Sequence, residues 1–232
     1  MFMNRVIIVT GAAGNVGSEV ARLLAARGAK VAAVDLMALP LAALVETLET
    51  PNRHLALPGV DLTDPAACKA LVDRVTSSLG GLHGVATTVG GFAMSKLGDT
   101  GPAEWDAMFN LNVRTTWNIY RAAVPALRAA DGGSLVGIGS AAGLKGSREM
   151  APYCAMKSAV MRLTESLADE LRADNIRVNA VLPTTIDTPQ NRAAMPGANT
   201  SRWVKPTEVA EVMLFLLSDA ASGVSGALLP VG

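Results

Sequence analysis

Cysteine and histidine are scarce in this chain, with two of each among 232 residues. Cys68 lies in a helical pattern, Cys154 lies in a later helix, and no Cys-x-x-Cys spacing is present. The sequence therefore supports neither a disulfide framework nor a metal site. His54 and His83 stand apart from each other, and we interpret them as surface or strand-end residues instead of metal ligands.

An excess of charge and a long hydrophobic run are also lacking. Twenty basic residues balance twenty acidic ones, so no long-range field draws the chain to nucleic acid or to an anionic membrane. The apolar runs are interrupted well short of the roughly 20 residues that span a bilayer. The N-terminal residues lead straight into a strand, without the pattern of a cleavable signal. We expect a cytoplasmic protein with no nucleic-acid or membrane partner.

Short β-branched runs alternate with longer helical patterns along the whole chain. The strand-like runs are RVIIVT, KVAAVD, HLALPGVD, LHGVATTV, GSLVGIGS, IRVNAVL and GALLPVG. Seven strands separated by helices predict a parallel sheet, because parallel neighbours need a crossover connection. The fold class is therefore α/β, a single-domain doubly wound (Rossmann) fold over residues 1–232 with helices on both faces of a seven-stranded parallel sheet. The interval from Pro183 to about Ser201 is the one long irregular section that we expect.

The first strand-to-helix turn has the composition of a nucleotide site. Gly11, Gly14 and Gly17 lie in VIIVTGAAGNVGSEVARLL, where glycine lets the backbone approach a pyrophosphate and the helix start supplies free N–H groups. Asp35 ends the second strand eighteen residues after Gly17. A carboxylate there can accept hydrogen bonds from ribose hydroxyls and repels a 2′-phosphate, so we expect NAD, with NADH preferred over NADPH. Asp61 similarly ends the third predicted strand and could meet the adenine.

A tyrosine and a lysine share one face of the helix that begins near Pro152. Tyr153 and Lys157 are four residues apart, which is one helical turn. The lysine ammonium and the positive helix end are expected to lower the phenol pKa toward neutrality, so that Tyr153 can act in acid-base catalysis. Ser140 follows a strand thirteen residues earlier, and it could orient a substrate oxygen in the same cleft.

These pieces together resemble the short-chain dehydrogenases/reductases over essentially the whole chain. The ordered set is TGAAGNVG, Asp35, DLTD, Asn112 in NLNV, Ser140 and YCAMK. The resemblance implies hydride transfer between the nicotinamide and a small carbonyl or alcohol substrate. It also implies a homotetramer or homodimer, formed through long helices at about 103–130 and 152–173.

The same resemblance implies roles for individual residues. Tyr153 would be the general acid/base, Ser140 would polarise the substrate oxygen, and Asn112 would position a water in a proton relay from Lys157. Lys157 would also hold the nicotinamide ribose. The implied cofactor residues are Gly11, Asn15, Val16, Gly17, Asp35, Asp61, Leu62, Val89, Gly90, Tyr153, Lys157, Pro183, Ile186 and Thr188. Of these, Ile186 would offer backbone groups and Thr188 a hydroxyl to the carboxamide.

The chain departs from the family pattern at three places. The family's glycine pattern places glycine where this chain has Asn15, and Gly14 is displaced by one; asparagine tolerates left-handed backbone, which would preserve the turn. The usual Asn-Asn-Ala-Gly after the fourth strand is Thr87-Thr88-Val89-Gly90, and the Pro-Gly after the sixth strand is Pro183-Thr184.

The segment at about 184–203 is interpreted as a lid over the substrate. Its letters LPTTIDTPQNRAAMP and TSRW resemble the corresponding segment of the dihydropteridine reductases, which lack the serine that Ser140 supplies. Arg192 could close on a polar substrate or on the cofactor phosphates, or it could belong to a solvated connector. The candidate substrate wall comprises Phe92, Met94, Met150, Met195 and Trp203.

Three functions remain open at this stage. The first is an NAD-dependent carbonyl reductase or alcohol dehydrogenase, for which Ser140, Tyr153 and Lys157 form a complete acid-base set. The second is an NADH-dependent dihydropteridine reductase, which the lid letters favour and Ser140 opposes. The third is a non-catalytic dinucleotide sensor, which needs the glycine turn and Asp35 but not the acid-base set.

Overall fold

The computed structural model describes residues 2–232, and these form an α/β fold with one seven-stranded sheet. The strands are β1 (Val6–Thr10), β2 (Lys30–Asp35), β3 (Leu55–Pro58), β4 (Gly84–Thr87), β5 (Gly133–Ile138), β6 (Ile176–Pro183) and β7 (Leu228–Val231). The helices are α1 (Asn15–Ala26), α2 (Ala38–Glu46), α3 (Pro65–Leu79), α4 (Pro102–Phe109), α5 (Thr115–Ala129), α6 (Ala151–Glu170), α7 (Pro189–Ala194) and α8 (Pro206–Leu217). The predicted fold class is confirmed.

All strands are parallel, in the order β3-β2-β1-β4-β5-β6-β7. The chain runs outward from β1 through β2 to β3, and then crosses to β4 on the other side of β1. This reversal makes a crevice beyond the carboxyl ends of β1 and β4, which is where doubly wound sheets bind their ligands.

The sheet is buried on both faces because successive side chains of β1 alternate between two hydrophobic layers. Ile7 and Val9 pack in the layer that contains side chains of α1, α2 and α8. Val6 and Ile8 pack in the layer that contains side chains of α3, α5 and α6. The uninterrupted apolar run of β1 is therefore the signature of a central strand.

Several predicted element boundaries were wrong. β3 ends at Pro58, so Asp61 lies three residues beyond the strand. The segment at 184–203 is less irregular than expected, since it contains α7 and a short 3-10 turn at Thr200–Arg202. A second long irregular section, residues 88–101, was missed. The long helix expected at 103–130 is α4 and α5 joined by a π-helical turn, Asn110–Arg114.

Both histidines are strand-end residues, as predicted, although His54 is buried. The backbone N–H of Val31 donates to Nδ1 of His54 at 3.0 Å, and that of Val6 donates to Nδ1 of His83 at 3.0 Å. Burial lowers the pKa of each imidazole. Each ring thus provides an acceptor for a strand's backbone at the edge opposite the crevice.

Both cysteines are buried and unpaired in the described part of the chain. Burial raises the pKa of the Cys68 thiol to about 11. Among residues 2–232, no cluster of three potential metal ligands occurs, and none of the helices there has the length and apolar character that crossing a membrane would require.

Candidate active site

The first strand-to-helix turn is held in a tight shape by contacts that leave no space for side chains. Gly11 has a φ of +66°, which favours glycine. A Cβ on Gly17 would lie 2.1 Å from the Gly11 carbonyl oxygen and 2.7 Å from Oγ1 of Thr88. Gly14 has extended backbone, and Asn15 is the first residue of α1. The turn therefore does not depend on the tolerance of asparagine for left-handed backbone, because its left-handed residue is Gly11.

Thr88 ties the end of β4 to this turn. Its hydroxyl donates to the Thr10 carbonyl at 2.7 Å and lies 3.2 Å from the Gly11 carbonyl. The sequence showed a departure from the family pattern at this position but did not show that Thr88 braces β1. The segment after β4 therefore still stabilises the end of the neighbouring strand, with a threonine hydroxyl as the donor.

Asp35 is fixed at the end of β2 by two backbone hydrogen bonds. The Ala13 N–H donates to Oδ2 at 3.0 Å, and the Met37 N–H donates to Oδ1 at 3.1 Å. Asp61 is held differently, because its carboxylate accepts from both the N–H and the hydroxyl of Thr63, and these bonds lower its pKa. Asp35 is thus positioned by the glycine turn itself, whereas Asp61 belongs to a local turn.

A cavity of about 280 Å³ lies between these groups, at the carboxyl ends of β1, β2 and β4. Six of the predicted cofactor residues line it: Gly11, Asp35, Asp61, Leu62, Val89 and Gly90. Gly14 of the predicted glycine turn also lines it, as do residues that the sequence did not point to, namely Val34, Leu36, Val60, Thr63, Thr88, Leu111 and Thr115. Asn15, Val16 and Gly17 form the start of α1 beside Gly14, and Val16 is nearly buried. The cavity could hold the adenosine end of a dinucleotide.

Asn112 lies in the π-helical turn between α4 and α5, a kind of bulge that is frequent at functional sites. Its Oδ1 accepts from the Gly91 N–H at 3.2 Å, and its Nδ2 donates to the carbonyls of Gly91 at 3.2 Å and Met108 at 3.0 Å. A Cβ on Gly90 would lie 3.0 Å from Oδ1 of Asn112 and 3.2 Å from Nζ of Lys157. Asn112 and Lys157 therefore meet at Gly90.

Lys157 is 5% exposed, and its ammonium donates to the Ile138 carbonyl at 3.1 Å. Nζ lies 5.8 Å from the centre of the Tyr153 ring, so the two residues share one face of α6 as the spacing predicted. Burial lowers the pKa of Lys157 to about 8. The ammonium is thus held between the end of β5 and the Tyr153 ring.

The pKa of Tyr153 is raised by burial, and the Ser140 hydroxyl acts in the opposite direction. The expected lowering by Lys157 was wrong for this structure, because removal of the phenol from water outweighs the other contributions. Ser140 is buried two residues after β5, and its oxygen accepts from the Ala142 N–H at 3.2 Å. The Ser140 oxygen thus accepts from the backbone, while its hydroxyl faces the phenol of Tyr153.

The predicted substrate residues lie on the irregular segments around this centre. The Phe92 ring meets the Tyr153 ring edge-to-face, with centroids 4.9 Å apart. Met94 and Met195 are exposed, and Met150 immediately precedes α6. Trp203 is half-buried in the returning part of the lid segment. The structure places Phe92 in contact with Tyr153, and the substrate roles of all five residues stay predictions.

The lid segment is tied down at several points. Pro183 ends β6, Ile186 pairs with Val204, and the Thr188 hydroxyl accepts from the Asn191 N–H at 3.1 Å to cap α7. The Asn191 amide donates to the Ile186 carbonyl at 2.7 Å, so that carbonyl, which was expected to face the carboxamide, already has a donor. Arg192 is paired with Asp187.

A glycine turn that leads into a helix, a fixed carboxylate at the end of β2, and a half-buried tyrosine beside a buried serine and a buried lysine define a Rossmann-type dinucleotide-dependent oxidoreductase. Residues 11–232 match the family model described as enoyl-(acyl carrier protein) reductase. A cis-4-hydroxycyclohexanecarboxylate dehydrogenase from Sinomonas cyclohexanicum is 35% identical, over 99% of this chain and 96% of that relative. The chain belongs to the short-chain dehydrogenase/reductase family and is an NAD-dependent oxidoreductase.

Two solved structures agree with this assignment. A short-chain type dehydrogenase/reductase from Mycobacterium ulcerans has a TM-score of 0.93 and 33% identity, covering 99% of this chain and 89% of that one. Carveol dehydrogenase from Mycobacterium avium, in complex with NAD, has a TM-score of 0.91 and 28% identity, covering 99% and 96%. The fold is thus shared with two solved short-chain or carveol dehydrogenases, one of them in complex with NAD.

Proposed function

We propose that this chain reduces a small carbonyl compound with NADH, or oxidises the corresponding alcohol with NAD, and that Tyr153 is the general acid/base. The observation that carries the proposal is the convergence of Ser140 and Lys157 on the Tyr153 side chain. Phe92 contributes an apolar wall, and the relatives named for a hydroxycyclohexanecarboxylate and for carveol support a small ring alcohol or ketone as the substrate class.

The cofactor site is the crevice between the glycine turn and Asp35. The residues present fit a dinucleotide, because a side chain on Gly17 would fill the turn and because Asp35 lines the open cavity. First-turn N–H groups of α1 bind the diphosphate, and Asp35 accepts from the adenosine ribose hydroxyls. The Asp35 charge opposes a 2′-phosphate, so NADH is preferred over NADPH. Pro183, Ile186 and Thr188 lie at the nicotinamide end.

The bound nicotinamide supplies or accepts the hydride. Ser140 donates a hydrogen bond to the substrate oxygen, and Tyr153 transfers the proton to that oxygen during reduction. The raised pKa of Tyr153 keeps the phenol protonated at neutral pH, which is the form that reduction requires. Lys157 holds the nicotinamide ribose and, with a water held by Asn112, returns a proton to the phenol from solvent.

A homodimer or homotetramer is also proposed, because α4 and α5 carry large apolar side chains that remain exposed. Trp105, Phe109 and Trp117 are 45%, 36% and 40% exposed in the single chain. Val113, Met156 and Val160 form a small cluster between the π-helical turn and α6 just beneath them. Light scattering after size-exclusion chromatography distinguishes the monomer from the two assemblies.

The test is an NADH-oxidation screen of cyclic ketones, aldehydes and quinonoid dihydropterin, with wild type and Ser140→Ala compared on each active compound. We expect a ketone to be the best substrate, and we expect the variant to lose about 100-fold in kcat, as when one oxyanion donor is removed. Equal activity of the two proteins on the dihydropterin would favour the pteridine reductase. NADH binding with no oxidation by any compound would favour the dinucleotide sensor.

A further inference from the structure

One hydrogen bond joins the glycine turn to the lid. Nδ2 of Asn15 donates to Oε1 of Gln190 at 2.9 Å. Asn15 is the first residue of α1, and Gln190 is the second residue of α7. A glycine at position 15 would provide no side chain for this bond. The departure of the turn from the family's glycine pattern therefore coincides with an added contact to a segment 175 residues away.

Gln190 belongs to a segment that is braced on both sides, so the bond acts on the whole lid helix. Nε and Nη2 of Arg192 donate to the Asp187 carboxylate at 2.5 and 2.8 Å. The Asp187 N–H donates to the Val204 carbonyl at 2.7 Å. The Asn191 amide donates to the Ile186 carbonyl. Moving Gln190 away from Asn15 would displace these braced residues together.

The bond crosses the start of α1, where the N–H groups of Asn15, Val16 and Gly17 belong to the first helical turn. Such groups have no acceptor within their own helix and favour an anion. A diphosphate would be held by the N–H groups of the same helical turn that carries Asn15. Both amide side chains are exposed and uncharged, so they can also move to hydrogen-bond phosphate oxygens.

We propose that Asn15 and Gln190 form a clasp that holds α7 over the diphosphate of the bound dinucleotide and slows cofactor release. The clasp rests on the proposed cofactor site at the glycine turn. Asn15 and Gln190 are positioning residues, because they act through the placement of the lid and not on the reacting atoms. The asparagine that replaces the expected glycine gives this lid an attachment at its nucleotide end.

The first test is the rate of NADH release, followed by stopped-flow fluorescence, in Asn15→Gly, Gln190→Ala and the double variant. Each single change is expected to raise the rate about fivefold, the effect of one lost hydrogen bond. The double variant is expected to match the singles, because all three lack the same bond. The exchange Asn15→Gln with Gln190→Asn keeps the summed length of the side chains and is expected to restore slow release. Glu19→Gln, one turn further along α1, is the matched control.

The second test is Gln190→Glu, which keeps an acceptor for Asn15 and adds a negative charge. A clasp over the diphosphate predicts weaker NADH binding with unchanged adenosine binding, since adenosine has no phosphate. Any of three results would overturn the clasp. They are NADH release at the wild-type rate in both single variants, additive effects on that rate in the double variant, and equally weakened binding of NADH and adenosine in Gln190→Glu. Failure of the wild-type protein to bind NADH would instead refute the proposed cofactor site.

Discussion

The two halves of the crevice are built in different ways. On the nucleotide side, β1, the glycine turn, α1 and β2 fit together through backbone contacts, and Asp35 is held by two backbone N–H groups. On the proposed substrate side, residues 88–101 and 144–150 contain little regular structure, and 184–203 contains only α7 and one 3-10 turn. These segments expose apolar side chains, including Phe92, Met94 and Leu144.

This difference separates the side of the crevice that we expect to bind the cofactor from the side that we expect to select the substrate. The backbone of the glycine turn fits one cofactor geometry and tolerates few substitutions, because a Cβ on Gly17 would have no space. Apolar side chains on irregular segments can be exchanged without disturbing the sheet, so they suit a specificity surface. We therefore expect substitutions on the nucleotide side to act on cofactor binding, and those on the substrate side to act on the choice of substrate.

The largest effect is expected for Gly17→Ala. Its Cβ would lie 2.1 Å from a backbone oxygen, so the turn must shift, and we expect NADH affinity measured by fluorescence titration to fall about 100-fold, within the range of core overpacking. Gly98→Ala, on the substrate side, is the control because no atom lies within 4 Å of the added Cβ. Comparable losses in both variants would remove the contrast between the two halves.

Lys157 lies between the halves and should link stability to pH. Its pKa in the folded chain is about 8, below the ordinary value of 10.5. Between about pH 8 and pH 10.5 the unfolded chain binds a proton at Lys157 and the folded chain does not. The free energy of unfolding is therefore highest above the unfolded pKa, and it decreases as the pH falls from 10.5 to about 8. We expect the unfolding free energy of wild type minus that of Lys157→Met, from urea titrations, to be about 2 kcal/mol larger at pH 9.5 than at pH 7.5. A pH-independent difference would mean that the ammonium is not buried.

Asp35→Ser tests the cofactor preference. Removing the carboxylate removes both a charged acceptor for ribose hydroxyls and a repulsion toward a 2′-phosphate, so the ratio of kcat/KM for NADH to that for NADPH should fall at least about tenfold. Asp73→Asn is the matched control, because Asp73 is exposed on α3 and does not line the cavity. An unchanged ratio in Asp35→Ser would show that another group selects the cofactor.

The smallest effect is expected for Phe92→Ala on the substrate side. The edge-to-face contact with Tyr153 is worth about 1 kcal/mol, so KM for the best ketone should rise about fivefold while the Kd of NADH stays unchanged. Phe92→Leu should retain most of the binding because it keeps apolar area. A parallel loss of NADH affinity would place Phe92 in the nucleotide half.

Much of this arrangement follows from local sequence signals. The run KVAAVD predicted β2 at its observed bounds, and Asp64 before Pro65 is a recognisable cap signal for the start of α3, where Oδ1 of Asp64 accepts from the Ala66 N–H at 2.8 Å. Both features depend on a few adjacent residues. The six residues of α7 were missed because so short a helix has weak periodicity, although Thr188 before Pro189 is a recognisable cap signal.

Other features depend on contacts between distant segments. The raised pKa of Tyr153 reflects burial by several elements, and the spacing to Lys157 pointed in the opposite direction. The bond from Thr88 to Thr10 and the bond from Asn15 to Gln190 join residues at least 78 positions apart. Local patterns predicted which residues surround the crevice but not how they hydrogen-bond to one another.

Tyr153→Phe tests the central proposal most directly. The variant keeps the ring that packs on Phe92 and removes the proton that the reaction transfers. We expect ketone turnover with saturating NADH to fall by about 1,000-fold or more, within the range of general acid catalysis, while the Kd of NADH measured by titration stays at the wild-type value. Turnover at the wild-type rate in this variant would contradict the assignment of Tyr153 as the general acid/base.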